Sequence, residues 1–91
     1  MEEIRASNEK EVLAKKIHSD LMALFGPVIG GEDLHKVLGY KTGAAFRLAF
    51  KQGDINLSIF KIDKRRGKFA LTEDIVAWLI EQKYKSIKEK E

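Results

Sequence analysis

Leu13, Ile17, Leu21, Leu24 and Phe25 recur at steps of four, four, three and one, the spacing that puts apolar side chains on one face of a helix. A helix is therefore expected over residues 8–25. Asn8 and Glu11 stand at the spacing of a capping pair, and the polar residues 1–7 are expected to fray. Gly26-Pro27 closes the segment, because glycine accepts a left-handed exit and proline cannot continue a helix. Val28-Ile29 reads as a short extended piece. Beyond Gly30-Gly31, Glu32 and Asp33 lie where carboxylates favour the positive end of a helix dipole. Leu34, Val37 and Leu38 form an i, i+3, i+4 stripe that stops at Gly39, which makes a helix of two turns.

Thr42 is placed to cap a third helix running to about residue 52. In it Phe46, Ala49 and Phe50 share one face, while Ala44, Arg47, Leu48 and Lys51 fall on the opposite, outward one. Ile55, Leu57 and Ile59 then alternate with Asn56 and Ser58, the two-residue period of a strand. The phase shifts at Phe60 and Ile62, which predicts a bulge or bend near Ile59. Residues 63–67 make a polar turn ending in glycine, and residues 68–71 supply the return strand of a hairpin. Thr72 is the expected N-cap of a last helix lined by Ile75, Val76, Leu79, Ile80, Tyr84 and Ile87. The Lys/Glu-rich residues 85–91 are expected to fray as a charged tail.

The expected fold is thus mainly α with a small β-hairpin. Ninety-one residues, 44% of them hydrophobic, suit one domain over residues 1–91, with its core in residues 28–80. The absence of cysteine excludes disulfides, thiolate metal sites and cysteine nucleophiles. There is no apolar run of the roughly 20 residues that a membrane span needs, and the acidic start does not read as a signal peptide. A soluble, cytoplasmic protein with no membrane partner is expected.

Charge changes the picture once it is mapped. Between His35 and Lys68, nine Lys and Arg face two Asp, a net of +7. The rest of the chain carries eight Lys and Arg against twelve Asp and Glu, a net of −4. That asymmetry points to a polyanion, with nucleic acid the leading candidate. The element order supports it, since residues 32–52 read as a helix-turn-helix and the hairpin follows where such a domain carries a wing.

In that arrangement residues 42–52 are the recognition helix of a winged helix-turn-helix preceded by an extra N-terminal helix. Ala44 lets the backbone approach bases, Arg47 reaches guanine or a phosphate, Lys51 meets a phosphate and Leu48 touches a thymine methyl. Lys41 and Thr42 stand at the start of the same helix. Lys64, Arg65, Arg66 and Lys68 crowd the hairpin tip, where they can grip the backbone or enter a narrow minor groove.

The segment from Ile29 to Ile80 resembles the excisionase and MerR-like winged-helix family, which includes small phage-type activators such as the pyocin activator proteins. The likeness rests on Glu32-Asp33-Leu34, Leu38-Gly39-Tyr40, Phe46-Arg47 followed by Gly53, the basic hairpin from Phe60 to Phe69, and Leu71-Thr72-Glu73-Asp74-Ile75 leading to Trp78-Leu79. It covers a little over half of the chain. The resemblance implies a duplex DNA partner contacted through Arg47 and the basic wing, a mobile-element setting, and a role as transcriptional regulator or architectural, excisionase-like factor. Leu48-Ala49 follow Arg47 where MerR-type regulators carry aromatics, and no coiled-coil effector segment follows Trp78. No small-molecule effector or cofactor is expected.

Other classes are weaker. His18 and His35 sit on different helices with no Cys and no paired carboxylate at ligand spacing, so no metal is expected; His35, at the head of the basic block, is read as a surface histidine, with approach to a phosphate as the alternative. No nucleophile–base pair, phosphate-binding glycine loop or converging carboxylates stand out, which argues against an enzyme. A protein-interaction adaptor that keeps the fold without binding DNA is the main alternative. An RNA role lacks an aromatic platform on strands. The apolar stripe of the first helix either pairs two copies as a homodimer or covers the domain's own core. Tyr40 is read as a turn-packing aromatic, and Trp78 as core or dimer interface.

Overall fold

Gly26-Pro27 does end the first helix, and everything downstream is arranged around that stop. A computed structural model describes the backbone of residues 2–90 and the side-chain surroundings of residues 8–87. Among these it holds four helices and a two-stranded antiparallel sheet, in the order α1 (Glu2–Phe25), β1 (Val28–Gly30), α2 (Gly31–Val37), α3 (Gly43–Lys51), β2 (Phe69–Leu71) and α4 (Thr72–Lys90). Among the described residues no helix is long and apolar enough to cross a membrane.

Helices α1 and α4 run antiparallel. Thr72, at the start of α4, is tied to the end of α1: its backbone N–H donates to Pro27 O at 2.8 Å and its hydroxyl to Gly26 O at 2.6 Å. At the other end Lys10 Nζ lies 4.6 Å from the centre of the Tyr84 ring. The sheet pairs Val28 with Leu71, Ile29 with Ala70 and Gly30 with Phe69. Gly30 has to be glycine, since a Cβ there would run into the Phe69 ring. The core forms where Ile29 and Ala70 meet Leu34 and Leu38 of α2, Phe46 and Ala49 of α3, and Ile75 and Trp78 of α4, with Ile55 closing it from the loop.

Five expectations need correction. The first helix does not start at Asn8; it runs from Glu2, and Asn8 is interior, because nothing between them breaks a helix. The last helix continues through Lys90, since Lys and Glu propagate helix well. The anticipated hairpin between residues 55–62 and 68–71 is not a strand pair. β2 takes β1 as its partner, and its other side carries a single bridge, Phe60 to Phe69, with mutual N–H···O bonds of 2.9 and 2.8 Å. Ile55 is buried and Leu57 and Ile59 are half-buried, so the alternation was real but reports which side chains point inward, not which backbone pairs. Thr72 is the first residue of α4 rather than the one before it, and its hydroxyl donates to Gly26 O. His35 is not a surface residue; it is buried within the α2–α3 corner.

Candidate functional site

The turn between α2 and α3 is held at four points. Gly39, with φ of 94°, lets the chain leave α2, and Tyr40 N–H donates back to His35 O at 2.8 Å. The Tyr40 ring meets Phe46 edge-on, centroids 6.0 Å apart. His35 Nδ1 lies 2.9 Å from Tyr40 O, and Thr42 Oγ1 accepts from Ala45 N–H at 3.0 Å as the N-cap of α3. These bonds orient α3 so that Phe46 and Ala49 are buried while Ala44, Arg47, Leu48 and Lys51 face solvent, as their spacing predicts. Phe50 departs from its expected core place: it stacks on Phe46 but stays 36% exposed.

The basic turn is a loop rather than a strand pair, yet it is anchored. Arg65 N–H closes a reverse turn onto Ile62 O at 3.0 Å, with Lys64 in the left-handed region at φ of 66°. The Phe60–Phe69 bridge closes its base. Its descending limb rests on α2, where Gly31 N–H donates to Lys68 O at 3.2 Å. Lys68 then reaches α3, its Nζ 5.1 Å from the centre of the Phe50 ring, a cation–π distance.

Between the three segments lies an open cleft of about 440 Å³, lined by Gly31, Glu32 and His35 of α2, Gly43, Ala44, Phe46 and Arg47 of α3, and Gly67 and Lys68 of the loop. Arg47 folds back along α3, as long side chains on a helix do. Its Nη1 stands 3.0 Å from the point a Cβ on Gly43 would occupy, and His35 Cδ2 lies 3.9 Å from the same point. The guanidinium and the imidazole edge thus both border the space over Gly43.

Of the residues singled out from sequence, Ala44, Arg47 and Lys68 are brought together in this cleft. Lys41, Leu48, Lys51, Lys64, Arg65 and Arg66 are exposed outside it, and Thr42 is occupied as a cap. Sequence reasoning missed Gly31 and Gly43, and it set His35 on the surface with a phosphate contact as the lesser alternative. For Gly43 a signal existed, one turn before Arg47 and directly after the cap. For the burial of His35 there was none, because it adjoins buried Leu34 and so breaks the helical stripe. Among the described residues no three His, Asp or Glu side chains gather as a metal site would require. Compared with known protein families, curated proteins and solved structures, the chain has no significant match.

Proposed function

We propose that this protein is a winged helix-turn-helix protein that binds duplex DNA, with α2 and α3 as the helix-turn-helix and the basic turn as a short wing. In this reading it is a small transcriptional regulator or architectural factor of the excisionase and MerR-like kind. Helix α3 enters the major groove. Ala44 admits close approach, Arg47 meets a phosphate or guanine, and Leu48 lies against a thymine methyl. Lys41 and Lys51 flank the helix at phosphate height, and Thr42, whose oxygen already accepts from Ala45, still has a hydroxyl hydrogen to donate. Lys64, Arg65 and Arg66 reach the neighbouring backbone or minor groove.

The observation that supports this most is the seat of Lys68. It is the foot of the basic turn, it lies over Phe50 of α3, and it lines the same cleft as Arg47. Two basic segments separated in sequence therefore form one surface. A lone solvated lysine run has no reason to dock on a helix that presents further cations.

Because one such module buries only about 600–1,000 Å² on DNA, two copies are expected per site. The test is fluorescence anisotropy with a random duplex over a salt series. Affinity falling with a slope that corresponds to about four or more phosphate contacts supports the reading; no binding near about 50 mM salt overturns it. The adaptor alternative draws on one observation, the exposure of apolar Leu48 at 56% on the outward face of α3. It predicts a protein partner on α3 that is indifferent to the charge of the turn.

A further inference from the structure

His35 is the basic group whose placement a general electrostatic surface does not explain. The residue is more than nine-tenths buried. Nδ1 lies against Tyr40 O, and a carbonyl oxygen can only accept, so Nδ1 carries a hydrogen. The ring is thereby oriented, and Nε2 is the nitrogen left over, without a hydrogen-bond partner among the described residues. Cδ2, the ring atom bonded to Nε2, faces the space over Gly43 that Arg47 Nη1 also borders.

Three charged groups line the cleft that this ring borders. Arg47 comes from α3 and Lys68 from the loop. Glu32, from its own helix, is largely exposed and 4.0 Å from Lys36 Nζ. An anion in the cleft complements the charges of Arg47 and Lys68 and accepts a hydrogen bond that only a protonated Nε2 can give.

We infer that the cleft seats one phosphate group, held by Arg47, Lys68 and the Nε2–H of His35, and that seating it draws one proton from solvent onto Nε2. The proton passes from hydronium to Nε2, so one N–H bond forms as one O–H bond breaks, and no other covalent bond changes. For a phosphodiester of the duplex backbone the inference rests on the DNA reading above; the chemistry is shared with free phosphate, and the two sources are separated experimentally.

The first arm follows the imidazole signals of His35 and His18 by NMR between about pH 5 and 8. The titration is run with about 20 mM inorganic phosphate and again with chloride at equal ionic strength. Phosphate is expected to move the His35 titration midpoint upward by about half a unit or more and to leave exposed His18 in place. The second arm measures duplex binding at both ends of that range and constant ionic strength. Wild type is expected to gain about tenfold in affinity at the acid end, and His35→Gln less than about twofold. A His35 midpoint unmoved by phosphate and by duplex overturns the seat, even where the duplex binds. A midpoint moved by inorganic phosphate in a protein that binds no duplex confirms the seat, assigns it to free phosphate and overturns the DNA reading. The first arm uses the native chain, so a His35→Gln variant that fails to fold does not shield the inference.

Discussion

Arg47 lies back over Gly43, four residues before it on α3, with Nη1 3.0 Å from where a Cβ would stand. The relationship predicts a variant that separates site from scaffold. Gly43→Ala puts a methyl against the flexible end of Arg47, not against backbone, so the fold can absorb it. Alanine also restricts the unfolded chain and favours helix, worth up to about 1 kcal/mol. Thermal stability should stay level or rise slightly while duplex affinity falls about three- to tenfold, as the guanidinium is displaced from the cleft. Undiminished affinity in a folded Gly43→Ala protein would remove Arg47's present position from the argument.

The tie between α4 and the end of α1 rests on one hydroxyl. Thr72 is fully buried, and its O–H donates to Gly26 O. Thr72→Val keeps the shape and removes the donor, which leaves a carbonyl underpaired at a cost of about 1–2 kcal/mol. For a domain of this size that corresponds to a fall in Tm of roughly 5–15 °C. Thr72→Ser keeps the donor and should lose about 1 kcal/mol for the missing methyl. Circular-dichroism melts of the two variants check the ranking; Val melting at or above Ser would assign the burial of Thr72 to packing alone.

What could be seen in the chain beforehand, and what could not, follows the reach of the forces involved. Helix stops at Gly26, Gly39 and Gly53, and the Thr42 cap, are set within a few residues, so local chemistry betrays them. So does the outward face of α3, because residues three and four apart must share a side. The partner of β2 was hidden, since Val28–Gly30 is too short to show a period and wins the pairing through Ile29 and Ala70, which meet in the core. The burial of His35 was hidden for the same kind of reason: it depends on the carbonyl of Tyr40 and on the crossing of α3, neither of which leaves a mark at position 35. The cleft inherits that limit. Arg47 and Lys68 stood out by charge, but their meeting depends on how the loop docks on α2.

Trp78 presents the opposite case to Thr72, a buried donor with nothing to give to. Its Nε1 is buried and finds no hydrogen-bond partner among the described residues. Trp78→Phe removes that orphan, relieving about 1–3 kcal/mol, while the smaller ring forfeits packing of similar size. The net change in stability should stay within about 1 kcal/mol, against a loss of about 3–5 kcal/mol for Trp78→Ala. Since this is the chain's one tryptophan, urea unfolding is followed by circular dichroism rather than fluorescence. A Phe variant as damaged as the Ala variant would show that the indole N–H does pair in solution.

Arg65 and Arg66 are exposed, and neither is in an ion pair with a described residue. Reversing both to Glu should therefore change stability by less than about 0.5 kcal/mol. Its effect on function divides the two readings. Under DNA binding the reversal places like charge against phosphate and should abolish duplex binding near 0.15 M salt, while the milder double alanine change should lower the salt slope by about 2. Under the adaptor reading both variants bind as wild type does, and Leu48→Glu instead destroys function, because a charge is forced into an apolar contact. Running the three variants through the same salt series tells which surface is in use. Retention of full duplex affinity by the double Glu variant would end the case for the turn as a wing.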